Sequence, residues 1–394
     1  MASLEKKLEQ QNCDIFCNVI DNYGDIGVCW RLARQLANEY DLAVRLWVDD
    51  LPSFAMLCPD IDAALEKQTC RKVQVCLWRN VFSDEPPAAL VIEAFGCQLP
   101  ESYIEEMARQ ARPPIWINLE YLSAEDWVHG CHQLPSPHPT LPLTKYFFFP
   151  GFTLSTGGLL LEQGLLARRD AFQSDIEQQR IFWRSIGMEI PSAETLKISL
   201  FAYENAALAG LLDAWVNSVQ PVLCLSFEGR ILSQLRDYFG GQVGNGKAFS
   251  RGNLRVRVLS FVEQENYDSY LWACDVNFVR GEDSFVRALW AGKPFIWQIY
   301  PQHDEVHHAK LNAFLNLYAA QLNDSAQLAL KDLHTAWNIE ADAGRMWPAF
   351  LNSRVDLTRH AKNTADKLSK NNLALNLLDF CQKIGRIRAL KNEG

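Results

Sequence analysis

The sequence has no long apolar run, and its first residues lead us to expect no secretory leader. None of its 394 residues lies in a stretch that approaches the roughly 20 consecutive apolar residues of a membrane-spanning helix. The N-terminal letters MASLEKKLEQQN are polar and charged, without the apolar centre of a signal peptide. We therefore expect a soluble, cytoplasmic protein with no membrane partner.

The sequence also lacks a disulfide pattern. Its 11 cysteines are an odd number, scattered from Cys13 to Cys381 without a C-x-x-C pair. A long chain with scattered cysteines is typical of reduced, intracellular proteins, whereas small secreted scaffolds place even numbers of cysteines densely.

An excess of basic residues is missing as well. Lys and Arg number 38 against 47 Asp and Glu, which gives a formal net charge of −9. A nucleic-acid binder needs a basic surface that displaces counterions, so we expect no nucleic-acid partner. The acidic balance suits a basic partner.

Several cofactor and metal signatures are absent. There is no G-x-G-x-x-G fingerprint for a dinucleotide, and the glycine-rich run 151–158 lacks the G-K-[ST] of a P-loop. The pair His303 and His307 resembles H-E-x-x-H, but its glutamate stands one position too late to share the catalytic face of a zinc site. We expect no metal and no cofactor.

The pattern that is present is strand–helix alternation, in two successive halves. Hydrophobic residues make up 48% and charged residues 22%, as in ordinary globular proteins, and the length favours two domains. Alternating strands and helices predict parallel sheets built from β-α-β units. The predicted strands are Cys13–Ile20, Ala43–Val48, Leu90–Glu93 and Ile115–Leu119 in the first half, and Lys197–Phe201, Val222–Ser226, Arg255–Leu259, Asp275–Val279 and Phe295–Gln298 in the second.

We place the first domain at residues 12–185 and the second at 186–365. A charged, helix-like connection covers 162–184, and a linker follows near Gly187–Pro191. The segment 366–392 predicts an amphipathic helix, because Leu373, Leu377, Phe380, Ile384 and Ile387 fall on one face. Its apolar stripe is expected to pack back onto the body of the protein and complete the first domain.

The first candidate site is the turn D-N-Y-G-D-I-G at 21–27, after the first strand. Ligands of α/β proteins sit at the carboxyl ends of the strands, where this turn falls. Gly24 and Gly27 permit positive φ and close backbone approach, and Asp21 and Asp25 bring two carboxylates. An ordinary turn and helix cap explain the same residues, and this alternative stays open.

The second candidate is R-G-E-D-S at 280–284, between a strand and a helix. Asp283 or Ser284 would cap the helix, whose first-turn N–H groups point towards an anion such as a diphosphate. Arg280 would add a charged fork, and Glu282 would face a sugar hydroxyl or a cationic acceptor. A plain capped helix is the alternative.

Three aromatic residues stand at or just past strand ends in the second half. Phe201, Tyr203 and Phe261 would stack on a nucleobase there, or would belong to the core.

Four separated motifs resemble one family. C-N-V-I-D-N-Y-G-D-I-G-V-C-W-R-L-A-R-Q-L, P-G-F-T-L-S-T-G-G-L-L, L-S-F-V-E-Q and V-R-G-E-D-S-F-V-R-A are similar to the EarP-type protein-arginine rhamnosyltransferases of bacterial elongation factor P. The resemblance covers nearly the whole chain. It implies an α/β fold of the GT-B type, with two Rossmann-like domains facing across a cleft, an acceptor-binding first domain and a nucleotide-sugar-binding second domain.

The implied reaction is inverting transfer of L-rhamnose from dTDP-β-L-rhamnose to an arginine of elongation factor P, which would activate that factor for rescue of stalled ribosomes. By motif, Asp21 and Asp25 become acceptor-side carboxylates in a turn that includes Asn22, Gly24 and Gly27, and Glu282 becomes the acidic residue of the donor loop. The implied thymine contacts are Phe201, Tyr203 and Phe261, and the implied contacts to the sugar diphosphate are Gln264, Arg280, Asp283, Ser284 and Tyr300. No metal is implied.

Other functions remain compatible with the sequence. One is a GT-B transferase for another sugar or acceptor, since a scaffold does not fix a substrate. Another is a non-catalytic nucleotide-binding partner protein, against which the three carboxylates count. A dinucleotide-dependent oxidoreductase is disfavoured by the missing glycine fingerprint.

Overall fold

The chain forms two α/β units. The computed structural model describes residues 12–20, 23–79, 85–241, 244, 246–301 and 306–392, with the backbone alone for 387–392. The first unit consists of the residues up to Gln163 together with those from Leu368 onward. The second unit is Gly164–Lys367. No helix among the described residues combines the length and apolar character that crossing a bilayer requires.

The first unit is built on a sheet of eight described strands, in the order β3-β4-β2-β1-β5-β6-β8-β7. Its strands are β1 (Asn12–Cys17), β2 (Ala43–Val48), β3 (Lys67–Cys70), β4 (Val73–Leu77), β5 (Leu90–Ala94), β6 (Ile115–Leu119), β7 (Pro135–Pro137) and β8 (Thr144–Phe148). The inner strands pair in parallel, and only β3 and β7 run antiparallel to their neighbours. The strand carboxyl ends that matter for the first candidate site therefore meet at one edge.

Helices connect these strands and cover the sheet. They are α1 (Gly24–Glu39), α2 (Leu51–Leu57), α3 (Glu101–Arg109) and α4 (Val128–Cys131). A cluster of buried aromatic residues fills one face of the sheet, where Phe16 stacks on Trp47 at 5.8 Å and meets the edge of Tyr103 at 4.8 Å. Large aromatics suit a core that must be filled beneath one short helix.

A buried carboxylate ties β1 to its surroundings. Asp14 is fully buried and accepts hydrogen bonds from Arg45 Nε at 2.6 Å, Trp47 Nε1 at 3.0 Å and Ala88 N at 2.9 Å. A charge taken out of water has to be compensated in this way. The network fixes the strand that leads into the first candidate site.

The second unit repeats the layout with six described strands, ordered β11-β12-β10-β9-β13-β14. The strands are β9 (Leu196–Leu200), β10 (Val222–Phe227), β11 (Ala248–Arg251), β12 (Leu254–Leu259), β13 (Val276–Arg280) and β14 (Phe295–Gln298). The helices are α5 (Leu165–Ser174), α6 (Ile176–Ser185), α7 (Leu208–Val216), α8 (Ile231–Phe239), α9 (Gln264–Ala273), α10 (Asp283–Ala291), α11 (Val306–Ala319), α12 (Asp324–Asn338), α13 (Ala343–Asn352) and α14 (Arg354–Leu368). Apart from β11, the strands are parallel.

The second unit begins at Gly164, earlier in the chain than the predicted boundary at 185/186. Helices α5 and α6 cluster with the second unit because their side chains pack there. Arg169 is buried and donates to Trp290 O at 3.0 Å, and the ring of Phe182 meets that of Tyr270 at 5.0 Å. The predicted linker near Gly187–Pro191 instead connects α6 to β9 within that unit.

The last helix, α15 (Leu373–Asn392), packs on the first unit. Leu159 exchanges backbone hydrogen bonds with Asn371 and Leu373 at 3.1 and 2.9 Å, and the ring of Phe380 lies 5.5 Å from that of Tyr146. The stripe predicted from the sequence is buried at Leu373, Leu377, Phe380 and Ile384, whereas the side chain of Ile387 lies outside the described residues.

Candidate functional site

In the first unit, Asp25 lies in the first turn of α1, directly after the turn that follows β1. Its side chain is only 3% exposed, and its Oδ2 accepts a hydrogen bond from Ile20 N at 3.1 Å. A carboxylate near a helix N-terminus is stabilised by the helix dipole. Asp25 is thus a buried, oriented carboxylate at the carboxyl edge of the sheet, where the sequence predicted the first candidate site.

Of the other predicted residues of this turn, two lie outside the described residues and two lie in the first turn of α1. Asp21 and Asn22 lie outside the described residues, so the roles predicted for them stay predictions. Gly24 begins α1, and Gly27 N donates to Tyr23 O at 3.0 Å in the first helical turn. Neither glycine is among those with positive φ, so the predicted positive φ is not seen here. Their close backbone approach to a ligand stays a prediction.

In the second unit, the predicted donor loop joins β13 to α10. Gly281 adopts φ +62°, which a residue with a side chain rarely tolerates, and this turns the chain into the helix. Gly281 N donates to Gln298 O at 3.2 Å, and Trp297 Nε1 donates to Gly281 O at 2.6 Å. The loop is therefore tied to the neighbouring strand β14, and the N-terminus of α10 is held at the edge of the sheet.

Arg280 stands over two aromatic rings. Its guanidinium carbon lies 4.4 Å from the ring centre of Phe201 and 4.6 Å from that of Tyr203. Both distances are within the range of cation–π attraction. Ser284 Oγ donates to Arg280 O and accepts from Arg280 N at 3.1 Å. The arginine is thus fixed through both its side chain and its backbone, beside the helix N-terminus.

Other predicted donor residues cluster around this loop. Gln264, at the start of α9, donates to Asp283 Oδ2 at 3.1 Å, and the ring of Tyr300 meets that of Tyr203 edge-on at 5.8 Å. Glu282 is half-buried at the N-cap position of α10, and Tyr300 is 40% exposed. The structure therefore brings most of the predicted diphosphate contacts together around the donor loop, at the carboxyl end of β13.

Phe261 lies in the loop between β12 and α9. It lines a cavity of about 950 Å³ together with residues of α6 and α9, among them Phe182 and Tyr270. The thymine contacts predicted for Phe201, Tyr203 and Phe261 stay predictions.

Tyr267 is a residue that sequence reasoning missed. Its hydroxyl is buried near the Ser284 side chain without forming a hydrogen bond of good geometry to any described residue, and its ring lies 5.8 Å from that of Phe201. Burial raises the pKa of Tyr267 well above its ordinary value, and the nearby charge of Asp283 raises it further. The available signal was helical spacing, since Tyr267 follows Gln264 by one turn of α9.

A buried ion pair joins α10, which follows the donor loop, to α9, which begins with Gln264. Arg287 of α10 donates to Asp268 of α9 through Nε at 2.8 Å and Nη2 at 2.5 Å, with both side chains nearly inaccessible. The fork-to-fork geometry sets the orientation of one helix against the other.

Replacing Arg287 with methionine is expected to lower the free energy of unfolding by about 3–5 kcal/mol, because Asp268 is left buried and unpaired. Urea unfolding would measure this, with Arg180→Met as control. Arg180 pairs with Glu177 on the surface, with 45% and 57% of the side chains exposed, so its loss should cost under about 1 kcal/mol. Equal effects of the two substitutions would contradict the prediction.

Two Rossmann-like α/β units, the second with a candidate anion-binding loop between a strand and a helix, are the architecture of a GT-B glycosyltransferase. The family described as Elongation-Factor P (EF-P) rhamnosyltransferase EarP matches residues 13–382. The chain belongs to this family, as its four motifs predicted, and is accordingly a glycosyltransferase.

Individual relatives agree with the family match. The chain is 52% identical over 351 residues to a protein-arginine rhamnosyltransferase of Pseudomonas putida, covering 89% of this chain and 92% of that protein. It is 47% identical over 369 residues to one of Pseudomonas aeruginosa, covering 93% and 98%. The solved structure that gives the structural basis for EarP-mediated arginine glycosylation of translation elongation factor EF-P has a TM-score of 0.66 and 37% identity, over 95% of this chain and 99% of that one.

Proposed function

We propose that the protein transfers L-rhamnose from dTDP-β-L-rhamnose to an arginine side chain of elongation factor P, with inversion at the anomeric carbon, and so activates that factor for rescue of stalled ribosomes. The family match over residues 13–382 carries the proposal. The names of the relatives support an arginine acceptor, and the likeness to the structure concerned with EF-P supports the acceptor protein.

The donor site of the proposal is the loop 280–284 with the aromatic residues around it. The first-turn N–H groups of α10 and the guanidinium of Arg280 offer donors and positive charge to a diphosphate. The same groups would stabilise the charge that develops on the diphosphate as it leaves. We propose on this ground that the leaving group needs no metal ion.

The acceptor chemistry needs a carboxylate. A guanidinium has a pKa above about 12 and is no nucleophile while it is protonated. A carboxylate holds it in a two-pronged hydrogen bond, localises its charge and accepts a proton as the C–N bond forms. We assign the proton acceptor to Asp25, which is buried and oriented, and propose that Asp21 orients the guanidine or the base. Glu282 is proposed as the acidic residue of the donor loop.

Intact-protein mass spectrometry tests the proposal most directly. Elongation factor P incubated with this protein and dTDP-rhamnose should gain the mass of one deoxyhexose, and the gain should vanish when the acceptor arginine is replaced by lysine. No gain, with dTDP-rhamnose still bound in calorimetry, would move the search to another acceptor. Absence of both gain and binding would overturn the proposed donor as well.

A further inference from the structure

The segment 18–20, which leads from β1 into the acceptor turn, is held by polar contacts. Ile20 is 64% exposed, so apolar burial contributes little to its position. Two carboxylates accept the backbone N–H groups of this segment instead. Asp49 Oδ1 accepts from Val19 N at 2.9 Å, and Asp25 Oδ2 accepts from Ile20 N at 3.1 Å.

Asp49 reaches this segment from the neighbouring strand. β1 and β2 are parallel with Cys17 opposite Val48, so Asp49 is the first residue beyond the paired part of β2. Its own position is fixed on both sides. Val48 is buried before it, and Asp50 after it caps α2 by accepting from Ser53 N at 3.0 Å. The end of β2 therefore places the Asp49 carboxylate, which is itself exposed, beside Val19 N.

We propose that Asp49 is a positioning residue for the rhamnosyl transfer, which anchors the backbone of Val19 beside the peptide group that Asp25 binds and thereby helps to place the Asp25 carboxylate. The proposal rests on the proposed function. Asp49 is exposed, so solvent screens its charge, and the anchoring is expected to come from the hydrogen bond that its Oδ1 accepts from Val19 N at 2.9 Å. Asp25 holds the next residue, Ile20, so the two hydrogen bonds fix successive peptide groups.

The test compares Asp49→Ala with Asp49→Asn. Asparagine keeps a side-chain oxygen that can accept from Val19 N–H, but it removes the charge, whereas alanine removes both. Steady-state kinetics with elongation factor P and dTDP-rhamnose should show kcat lowered about tenfold in Asp49→Ala, and within about threefold of wild type in Asp49→Asn. The KM for dTDP-rhamnose should stay unchanged in both. Glu105→Ala is the control, since it removes an exposed carboxylate whose ion pair with Arg109 lies on the surface of α3.

A second readout does not depend on activity. Hydrogen–deuterium exchange, followed by mass spectrometry of a peptide that contains Val19, should be faster in Asp49→Ala and nearly unchanged in Asp49→Asn. Unchanged exchange in Asp49→Ala would overturn the anchoring role. Equal loss of kcat in both variants would overturn it too, because the charge of Asp49 and not its hydrogen bond would then matter. If the wild-type protein transfers no rhamnose, the proposed function fails, and the exchange experiment still decides whether Asp49 anchors the segment.

Discussion

Replacing Asp25 with asparagine should lower kcat for rhamnosyl transfer by about 10²–10⁴-fold, the usual contribution of a positioned general base. The affinity for dTDP-rhamnose should stay within about threefold of wild type, because the proposed donor contacts belong to other residues. Asparagine has nearly the shape of aspartate and keeps an oxygen for Ile20 N–H, the bond that Asp25 accepts at 3.1 Å. The substitution therefore removes the base and leaves the hydrogen bond.

Asp25→Ala separates the two roles of this carboxylate. It removes the base and the acceptor for Ile20 N–H together, and the side chain is only 3% exposed, so it also leaves space in a buried position. We expect Asp25→Ala to exchange the amide of Ile20 faster than Asp25→Asn does, with a similar or larger loss of kcat. Single-turnover mass spectrometry of elongation factor P measures the rate, and calorimetry with dTDP checks the donor site. Near-normal turnover of Asp25→Asn with both substrates bound would show that another group takes the proton.

The strands of the parallel sheets could be predicted where short apolar runs end at clear breaks. The bounds predicted for Ala43–Val48, Ile115–Leu119 and Phe295–Gln298 are those of β2, β6 and β14. Each run has turn residues or proline on at least one side, where they stop the strand. Since buried parallel strands are nearly continuous in apolar residues, the pattern carries most of the information.

The β3–β4 hairpin was missed because its turn has no glycine or asparagine. Arg71 and Lys72 adopt φ of 49° and 66°, the left-handed conformation that a two-residue hairpin requires. The sequence rule for such turns looks for residues that adopt this conformation easily. Here the turn is stabilised by contacts with other parts of the unit. β4 pairs with β2, and Asn38 Nδ2 donates to Arg71 O at 3.4 Å.

The first strand ends at Cys17, earlier than the predicted Ile20, because the backbone beyond it bonds to side chains. The apolar letters continue to Ile20, but pairing with β2 stops at Cys17, and the next residues bond to side chains. Periodicity cannot distinguish an apolar residue that is buried from one, like Ile20, that is 64% exposed. Local patterns fail here because the backbone N–H groups of Val19 and Ile20 bond to side chains and not to a neighbouring strand.

The contact between Arg280 and its aromatic neighbours could not be predicted from sequence. The residues were predicted separately, Phe201 and Tyr203 as base contacts and Arg280 as a diphosphate contact. Their proximity follows from the parallel pairing of β9 with β13, where Phe201 N donates to Phe278 O at 3.0 Å. Strand order in a sheet is a tertiary property. The hydrophobic pattern of a single strand or helix therefore does not predict which strands lie side by side.

Replacing Arg280 with alanine should weaken dTDP binding by about 10–100-fold, because a charge-assisted contact to the diphosphate contributes about 1.5–3 kcal/mol. Lysine in its place should recover only part of this affinity. An ammonium keeps the positive charge but lacks the planar fork and stacks less well on the rings of Phe201 and Tyr203, which now lie 4.4 and 4.6 Å from the guanidinium. Calorimetry with dTDP and with dTDP-rhamnose gives both dissociation constants.

Arg251 offers a matched control for Arg280 within the same unit. Its guanidinium also lies over an aromatic ring, that of Tyr238 at 5.1 Å, but it belongs to the edge strand β11 and not to the donor loop. Arg251→Ala should therefore bind dTDP with wild-type affinity. If Arg280→Ala and Arg251→Ala bind alike, the arginine on its aromatic support serves the fold of the second unit. If Arg280→Ala loses affinity while its unfolding midpoint matches that of Arg251→Ala, the guanidinium of Arg280 contributes to dTDP binding and not to the stability of the second unit.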